Sequence, residues 1–310
     1  MRPISMTPRD SVRSSLRRGL SMVELLVMLA ILALLAALSF PAVQWAREAS
    51  RRTACSGNLR QQLMALDQYH VDHGSYPYGA SAGWGFDWRT HLLPFMEQPA
   101  LAADVPWGDS GSWAGKGRRS TNLIVLARTS LALMRCPSQQ KGVWESRSIN
   151  GIAGRAISSY SGNAGSNVTV DTINDARSDM RFGNGPLRVV EMLRGGMNPV
   201  RREQILDGLS ATVLIAEVRH RIDDVCGVCD RFSLYHPDFD SGGGTDFSES
   251  LGSTRYAIND DGSENRRELS FGSFHPGGCS VGYADGSCRF VSDGIDLKVW
   301  RAHGSMHSGD

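Results

Sequence analysis

The chain has 310 residues, of which 41% are hydrophobic, and its 33 basic and 32 acidic residues give a formal charge of +1. A chain of this length and apolar content can bury the core of one large domain or two small ones. The near-neutral charge gives no sign of the strongly basic face that nucleic-acid binding needs, so we predict no nucleic-acid partner.

A basic N-terminal segment precedes a long apolar run. The first 19 residues contain five arginines and one acid, and the segment from Leu20 to Phe40 carries no charge except Glu24. A helix of that length spans about 31 Å, the thickness of a bilayer's hydrocarbon core. We therefore predict a single-pass transmembrane helix at 20–41 in the cytoplasmic membrane. Its basic N-terminus is expected to be cytoplasmic and the globular part periplasmic or extracellular.

The start of the apolar run differs from an ordinary secretory signal. A signal peptide contains no carboxylate and has its small-residue cleavage site after the apolar region, whereas Gly19 precedes it here. The order of basic leader, Gly19, Leu20 and Glu24 resembles the type IV prepilin signature. This resemblance implies a leader peptide at 1–19, cleavage between Gly19 and Leu20 by a prepilin peptidase, methylation of the new N-terminus, and self-assembly through the apolar helix.

Two interpretations of Glu24 stay open. An ionised carboxylate within a membrane span costs on the order of 3 kcal/mol or more and needs a partner. In pilin-like proteins that partner is the new α-amino group, here on Leu20, usually of a neighbouring subunit, which makes Glu24 an assembly residue. Alternatively, Glu24 lies at the membrane interface, where the dipole of the helix N-terminus favours a carboxylate.

The helix is expected to continue beyond the span. Apolar residues recur at spacings of three and four through 42–73, which predicts an amphipathic continuation that packs on a body. Gly74 and Pro77 mark its end. Short β-type runs then alternate with glycine-rich turns, at 187–190, 212–216 and 280–283. We therefore predict an α+β protein, with the long helix packed on an antiparallel sheet and with long loops, whose globular domain occupies 74–310.

Several segments resemble one family. The run from Phe40 to Arg52, with Cys55 shortly after it, looks like a large bacterial family of pilin-like proteins of unassigned function, often described as pseudopilin-like transporter subunits. Cys136-Pro137-Ser138 follows in order, and His275 with Asp285-Gly286 matches the family's C-terminal His-x9-Asp-Gly motif. The resemblance covers nearly the whole chain. It implies a pilin-like fold, a structural role in a pilus-like or pseudopilus-like assembly, and a disulfide between Cys55 and Cys136.

The His-x9-Asp-Gly motif includes the clearest predicted hairpin, from Cys279 to Val291. Asp-Gly supplies the positive φ angles of a type I′ turn, so we interpret Asp285 and Gly286 as turn residues. His275 is expected to hydrogen-bond nearby backbone or to anchor the hairpin. A catalytic or metal-binding His275 is the alternative.

Six cysteines lie outside the span, and an exported chain meets an oxidising environment, so disulfides are the first interpretation. In a two-residue hairpin Cys288 faces Tyr283, so we expect Cys279 and Cys288 to find partners elsewhere, with Cys226 and Cys229 as candidates. A four-thiolate zinc site and free thiols are the alternatives.

An acidic segment near residue 240 has part of the pattern of a calcium loop. Asp238, Asp240, Asp246 and Glu249 occupy positions 1, 3, 9 and 12 of a twelve-residue loop, although Gly242 stands where an Asp or Asn is usual. Two interpretations remain, a flexible acidic loop and a Ca²⁺ site. No cofactor is certain from the sequence, and Ca²⁺ is the candidate at this segment.

The sequence gives little support for an enzyme. It contains no His-Glu-x-x-His and no P-loop, so we predict a protein that is not an enzyme. The leading hypothesis is a structural subunit of a type IV pilus-like or type II secretion pseudopilus-like assembly. The alternatives are an anchored surface adhesin that holds glycan on its Trp-rich loops and an anchored hydrolase.

Overall fold

The structure is a computed structural model that describes residues 21–82, 86–105, 107, 121–139, 142–145, 148–149, 152–172, 179–191, 198–221, 229–234 and 247–307. The chain forms two compact units, Met1–Arg47 and Glu48–Asp310. One long helix contributes to both. The described residues form a mixed α/β protein, which confirms the predicted fold class.

The described residues form six helices, nine strands and several short 3₁₀ turns. The helices are α1 (Met22–His73), α2 (Trp88–His91), α3 (Pro99–Ala103), α4 (Thr121–Arg128), α5 (Glu264–Leu269) and α6 (Leu297–Gly304). The strands are β1 (Ala80–Ala82), β2 (Ser148–Ile149), β3 (Ile152–Ala153), β4 (Tyr160–Gly165), β5 (Val189–Glu191), β6 (Val213–Glu217), β7 (Leu251–Ser253), β8 (Gly278–Tyr283) and β9 (Cys288–Ser292). Short 3₁₀ turns lie at Leu93–Met96, Ala132–Met134, Met180–Phe182, Arg202–Gln204 and Phe247–Glu249.

The helix α1 ends where the turn signal predicts. Gly74 has a φ of 72°, a left-handed conformation that glycine adopts without steric cost. Its N–H donates to the carbonyl of His70 at 2.8 Å, so it satisfies one of the carbonyls left free at the helix C-terminus. The helix assignment continues through Pro41.

A five-stranded sheet organises the larger unit. Its strand order is β7-β4-β6-β8-β9. Neighbouring strands are antiparallel except for the parallel pair β4 and β7. Two small pairs lie outside it, the parallel β1 with β5 and the antiparallel β2 with β3. The strands predicted near 187–190, 212–216 and 280–283 correspond to β5, β6 and β8.

The two faces of the sheet are covered by different helices. The C-terminal half of α1 buries one stripe of side chains: Cys55, Leu59, Gln62, Leu63, Ala65 and Leu66. A Cβ on Gly282 of β8 would lie 2.8 Å from a methyl of Leu63, so glycine allows the helix to approach this strand. Side chains alternate along a strand, and Val281 accordingly lies in a separate core with Trp300 of α6.

The hairpin between β8 and β9 has a different turn from the one predicted. Gly286 has a φ of 82° and its N–H donates to the carbonyl of Tyr283 at 3.0 Å, whereas Asp285 has no positive φ. Cys288 pairs with Gly282 instead of Tyr283. This is a three-residue connection, a type I turn followed by a left-handed glycine, so the predicted type I′ turn is wrong. Asp-Gly suits both turns because each needs a left-handed residue at the glycine.

Candidate functional site

The first candidate region is the N-terminal half of α1. Gly19 and Leu20 lie outside the described residues, so the predicted cleavage position stays a prediction. Every residue from 21 to 47 is exposed. The most apolar 18-residue window of α1 has a mean hydropathy of 2.6 and none of it is buried. A helix of this length and composition is compatible with a membrane anchor or a signal sequence.

Glu24 forms a capping box at the start of α1. The N–H of Val23 donates to Ser21 Oγ at 3.3 Å, and the N–H of Ser21 donates to Glu24 Oε2 at 2.9 Å. Both donors belong to the first turn, where no helical carbonyl is available to them. Glu24 therefore stabilises the N-terminus of α1 in the chain as described. The pattern Ser-x-x-Glu in the sequence was the signal for this role, and sequence reasoning missed it.

The second candidate region is a buried cluster around His275, whose exposed fraction is 2%. Its Nδ1 contacts a carboxylate oxygen of Glu48 and lies 3.4 Å from Ser138 Oγ. Its Nε2 lies 3.2 Å from Cys136 Sγ and 3.4 Å from Glu217 Oε1. The imidazole thus has an acceptor on each of its two nitrogens.

Four separate segments bring these groups together. Glu48 lies on α1, Glu217 ends β6, and Cys136 follows a 3₁₀ turn. The loop before β8 carries His275, whose N–H donates to Ser273 Oγ at 3.1 Å. Ser273 in turn donates to a backbone carbonyl in the same loop at 2.6 Å. His275 therefore anchors the hairpin, and it joins the hairpin to α1.

Charge decides the protonation state of this cluster. Burial disfavours the charged imidazolium of His275, but the contacts with Glu217 and Glu48 outweigh that cost and raise its pKa above its ordinary value. Burial favours the neutral form of Glu48, yet His275 and Arg51 outweigh it and lower the pKa of this carboxyl. Arg51 donates to the same carboxylate at 2.6 Å. His275 and Arg51 are thus the basic groups beside Glu48, and His275 also lies beside Glu217.

A disulfide borders the cluster. Cys55 on α1 and Cys136 are joined with an S–S distance of 2.08 Å, the pairing that the family resemblance implied. The link spans 81 positions of the chain and ties the helix to the loop beside His275. The donor atoms of Cys55, Cys136, Glu217 and His275 all lie within 4.8 Å of one another and all four residues are buried.

The two ends of the His-x9-Asp-Gly motif do not meet. His275 precedes β8, whereas Asp285 follows it at the exposed turn, where its Oδ1 accepts the N–H of Ser287 at 2.9 Å. Gly286 occupies the left-handed position of the same turn. The motif therefore fixes both ends of one strand and does not bring His275 and Asp285 together.

The expected pairing of the other cysteines is wrong in the described structure. Cys279 and Cys288 are free thiols, and Cys229 is in a disulfide with neither of them. Cys226 lies outside the described residues. Cys279 faces the core on β8, and burial raises the pKa of its thiol well above the ordinary value, which keeps it protonated and unreactive. Cys288 contacts Ser56 on α1 at 3.3 Å.

The structure describes one of the four predicted calcium ligands, Glu249. Asp238, Asp240 and Asp246 fall in a segment whose placement is not described. Glu249 is buried, and both of its carboxylate oxygens accept from the guanidinium of Arg155, one of them at 3.0 Å. A bidentate pair of this kind satisfies the carboxylate, so Glu249 is not available as a calcium ligand here.

A second buried histidine lies apart from the His275 cluster. His220 Nδ1 accepts the N–H of Arg231 at 2.9 Å, and its Nε2 lies 3.3 Å from a carboxylate oxygen of Glu145. Burial lowers the pKa of His220 to about 4, and the contact with Glu145 only partly offsets this effect. The two histidines are thus buried beside carboxylates, yet their pKa values shift in opposite directions.

The Trp-rich segment gives no exposed aromatic platform in its described part. Trp88 is fully buried and its Nε1 donates to the carbonyl of Ser250 at 3.0 Å. Trp107 packs against the core. Trp84 and Trp113 lie outside the described residues. Trp88 and Trp107, the tryptophans of this segment that are described, thus act as packing residues.

Sequence reasoning missed Glu48 and Ser138 as partners of His275. Glu48 is 227 positions away from His275, and nothing local in the sequence marks the pair. Both lie in segments that resembled the family, as does Cys136, and that shared resemblance was the available signal.

One comparison with known proteins gave a match. The model of a family described as "Protein of unknown function (DUF1559)" matches residues 44–298. No curated protein and no solved structure matches the chain.

Proposed function

The chain belongs to the DUF1559 family, and we propose that within this family it is a structural subunit of a type IV pilus-like or type II secretion pseudopilus-like assembly, anchored in the cytoplasmic membrane by α1. The family match begins at residue 44 and does not include the apolar segment. The proposal therefore depends on the N-terminal sequence and on the exposure of α1.

One observation carries the proposal. The stretch from residue 21 to residue 47 is mostly apolar, and every residue in it is exposed. Exposed apolar surface of this extent is unfavourable in water and needs lipid or another apolar helix to cover it. Lipid covers it in an anchored monomer, and helices of neighbouring subunits cover it in a filament. A basic leader ending in Gly19 favours the second state, because prepilin peptidase prepares subunits for assembly.

The first test is the mature N-terminus. The full chain is expressed in cells that contain a prepilin peptidase and, as a control, in cells that lack it. Mass spectrometry should find a chain that begins at Leu20 and carries one methyl group in the first cells, and the unprocessed chain in the second. A mature chain that begins at any other residue would contradict the proposal.

The second test is assembly. Antibodies against the globular unit should label filaments or periplasmic assemblies by electron microscopy, and crosslinking in membranes should give ladders of subunits. Leu32→Arg is the variant to compare with wild type, because it places a charge at the middle of the apolar segment. We expect it to abolish the ladder and to leave the globular unit folded. A wild-type chain that stays monomeric in the presence of its peptidase would identify an anchored protein instead.

A further inference from the structure

The two cysteines of the disulfide, His275 and Glu217 are four residues of the types that bind metal ions, and they lie close together. Two sulfurs, one imidazole nitrogen and one carboxylate oxygen all lie within 4.8 Å of one another. Ligands of a tetrahedral zinc ion lie about 3.3–3.8 Å apart, given Zn–N and Zn–O distances near 2.0 Å and Zn–S near 2.3 Å. The distances from His275 Nε2 to Cys136 Sγ and Glu217 Oε1, 3.2 and 3.4 Å, are already close to that spacing.

The imidazole of His275 is held as a metal-binding histidine is held. Its Nδ1 contacts the carboxylate of Glu48, which in turn is fixed by Arg51. A carboxylate on one ring nitrogen favours the tautomer with a proton there and leaves the other nitrogen as a donor to a metal. Nε2 is that other nitrogen, and it points at Cys136 and Glu217.

The polar atoms beside this group support a bound cation. Glu217 Oε1 is buried and makes no hydrogen bond within the described residues, and its closest basic atom is Nε2 of His275 at 3.4 Å. Its carboxylate faces a cavity of about 10 Å³, into which Cys136, Gln139 and Ser159 also project. The side-chain polar atoms of Gln139 and Ser159 are likewise buried without a hydrogen bond in the described part of the chain. A buried carboxylate oxygen without a donor is costly unless a cation compensates it.

We propose that Cys55, Cys136, Glu217 and His275 form a zinc site when the disulfide is reduced, so that the same four residues close the link between α1 and the body in either redox state. A dithiol reductant gives two electrons and two protons to the S–S bond, which breaks to two thiols while the reductant becomes a disulfide. Zinc then replaces the two thiol protons, which are released to solvent.

The test uses the full chain in detergent micelles. A phosphine serves as the reductant, since dithiols chelate zinc, and it is converted to its oxide with oxygen from water. Reduced wild type should bind one more zinc ion per chain than the reduced His275→Gln and Glu217→Gln variants. His220→Gln removes another buried histidine beside a carboxylate and should bind as wild type. Equal binding by wild type and His275→Gln, or equal binding by oxidised and reduced wild type, would overturn the proposal.

A second measurement needs no variant. Zinc should protect Cys55 and Cys136 of the reduced wild type from alkylation, which mass spectrometry of the peptides reads residue by residue, while the half-buried Cys288 stays reactive. Cobalt in place of zinc should give the visible bands of a tetrahedral ion and a thiolate charge-transfer band in the near ultraviolet. Alkylation of Cys55 and Cys136 at the same rate with and without zinc would exclude the site, whatever the variants do.

Discussion

The two halves of α1 share one helix but differ in what covers them. From residue 21 to residue 47 every residue is exposed, and Leu32 shows 61% of its surface. Beyond Glu48 a stripe of apolar side chains is buried on the sheet, and Leu63 shows 2%. Their sequences differ in the same way, because the first half carries few charges and only the second half has an amphipathic pattern.

The disulfide should give the largest effect in the packed half. Changing both Cys55 and Cys136 to Ala removes a link across 81 positions, and the expected loss is about 4 kcal/mol of unfolding free energy under oxidising conditions. Denaturant unfolding of the full chain in detergent, followed by tryptophan fluorescence, measures it. Cys288→Ala removes a free thiol and is the control, with an expected loss of about 1 kcal/mol or less. Equal losses would mean that the cross-link contributes little.

Matched leucines compare the two halves directly. Leu63→Ala should cost about 2–5 kcal/mol, because it leaves a cavity between the helix and β8. Leu32→Ala should change the unfolding free energy of the globular unit by about 0.5 kcal/mol or less, because this side chain is 61% exposed. If Leu32→Ala unfolds the globular unit as Leu63→Ala does, the exposed half contributes to that unit and the comparison fails.

The two buried histidines should give opposite pH dependences. The pKa of His275 is raised in the folded chain, so its contribution is present below about pH 6.5 and is lost as the pH rises through the folded value. The pKa of His220 is lowered to about 4, so its unfolded form binds the extra proton and stability rises between about pH 4 and 6.5. Glu48, with a lowered pKa, adds stability above about pH 4.5 that is lost on acidification.

Melting temperatures measured from pH 4 to pH 9 test the opposite pH dependences predicted for His275 and His220. The advantage of wild type over His275→Gln should be largest near pH 6 and should shrink in alkaline buffer. The wild-type curve should rise from pH 4 to 6.5, and His220→Gln should flatten that part alone. A wild-type advantage over His275→Gln that grows with pH would show that the imidazole is neutral in the folded chain.

Local patterns predicted the elements, since a helix stripe, a glycine stop and a strand alternation each depend on residues close in sequence. These local patterns predicted the end of α1 at Gly74 and the positions of β5, β6 and β8. The turn type was wrong because Asp-Gly is compatible with two turns, and only the pairing of Cys288 with Gly282 distinguishes them.

Side-chain clusters depend on the topology and were not predictable in this way. His275 meets Glu48 only because β8 lies under α1, and Glu249 meets Arg155 across 94 positions. An acidic pattern does not show whether a guanidinium already occupies the carboxylate, so the calcium interpretation could not be tested from the sequence. The pairing of Cys55 with Cys136 came from the family resemblance and not from the cysteine spacing.

The smallest effect on stability is expected at Glu24, where the exposed half of α1 begins. Glu24→Gln keeps an amide oxygen that can accept the N–H of Ser21, so the capping box survives. Glu24→Leu removes the acceptor and should cost the helix N-terminus about 1 kcal/mol. Neither change should affect cleavage after Gly19 or membrane insertion, which mass spectrometry of the mature chain and membrane fractionation measure.

The pair of variants separates the two roles of Glu24 in assembly. If the carboxylate pairs with the methylated amine of Leu20, both variants should lose crosslinked ladders, because each leaves a buried cation without its anion. If Glu24 only caps the helix, Glu24→Gln should assemble as wild type and Glu24→Leu should be weakened. The glutamine amide matches the glutamate carboxylate in size and keeps an acceptor oxygen. Glu24→Gln therefore tests the negative charge of the side chain. Normal ladders from Glu24→Gln would therefore leave the proposed subunit function standing and remove the ion pair from it.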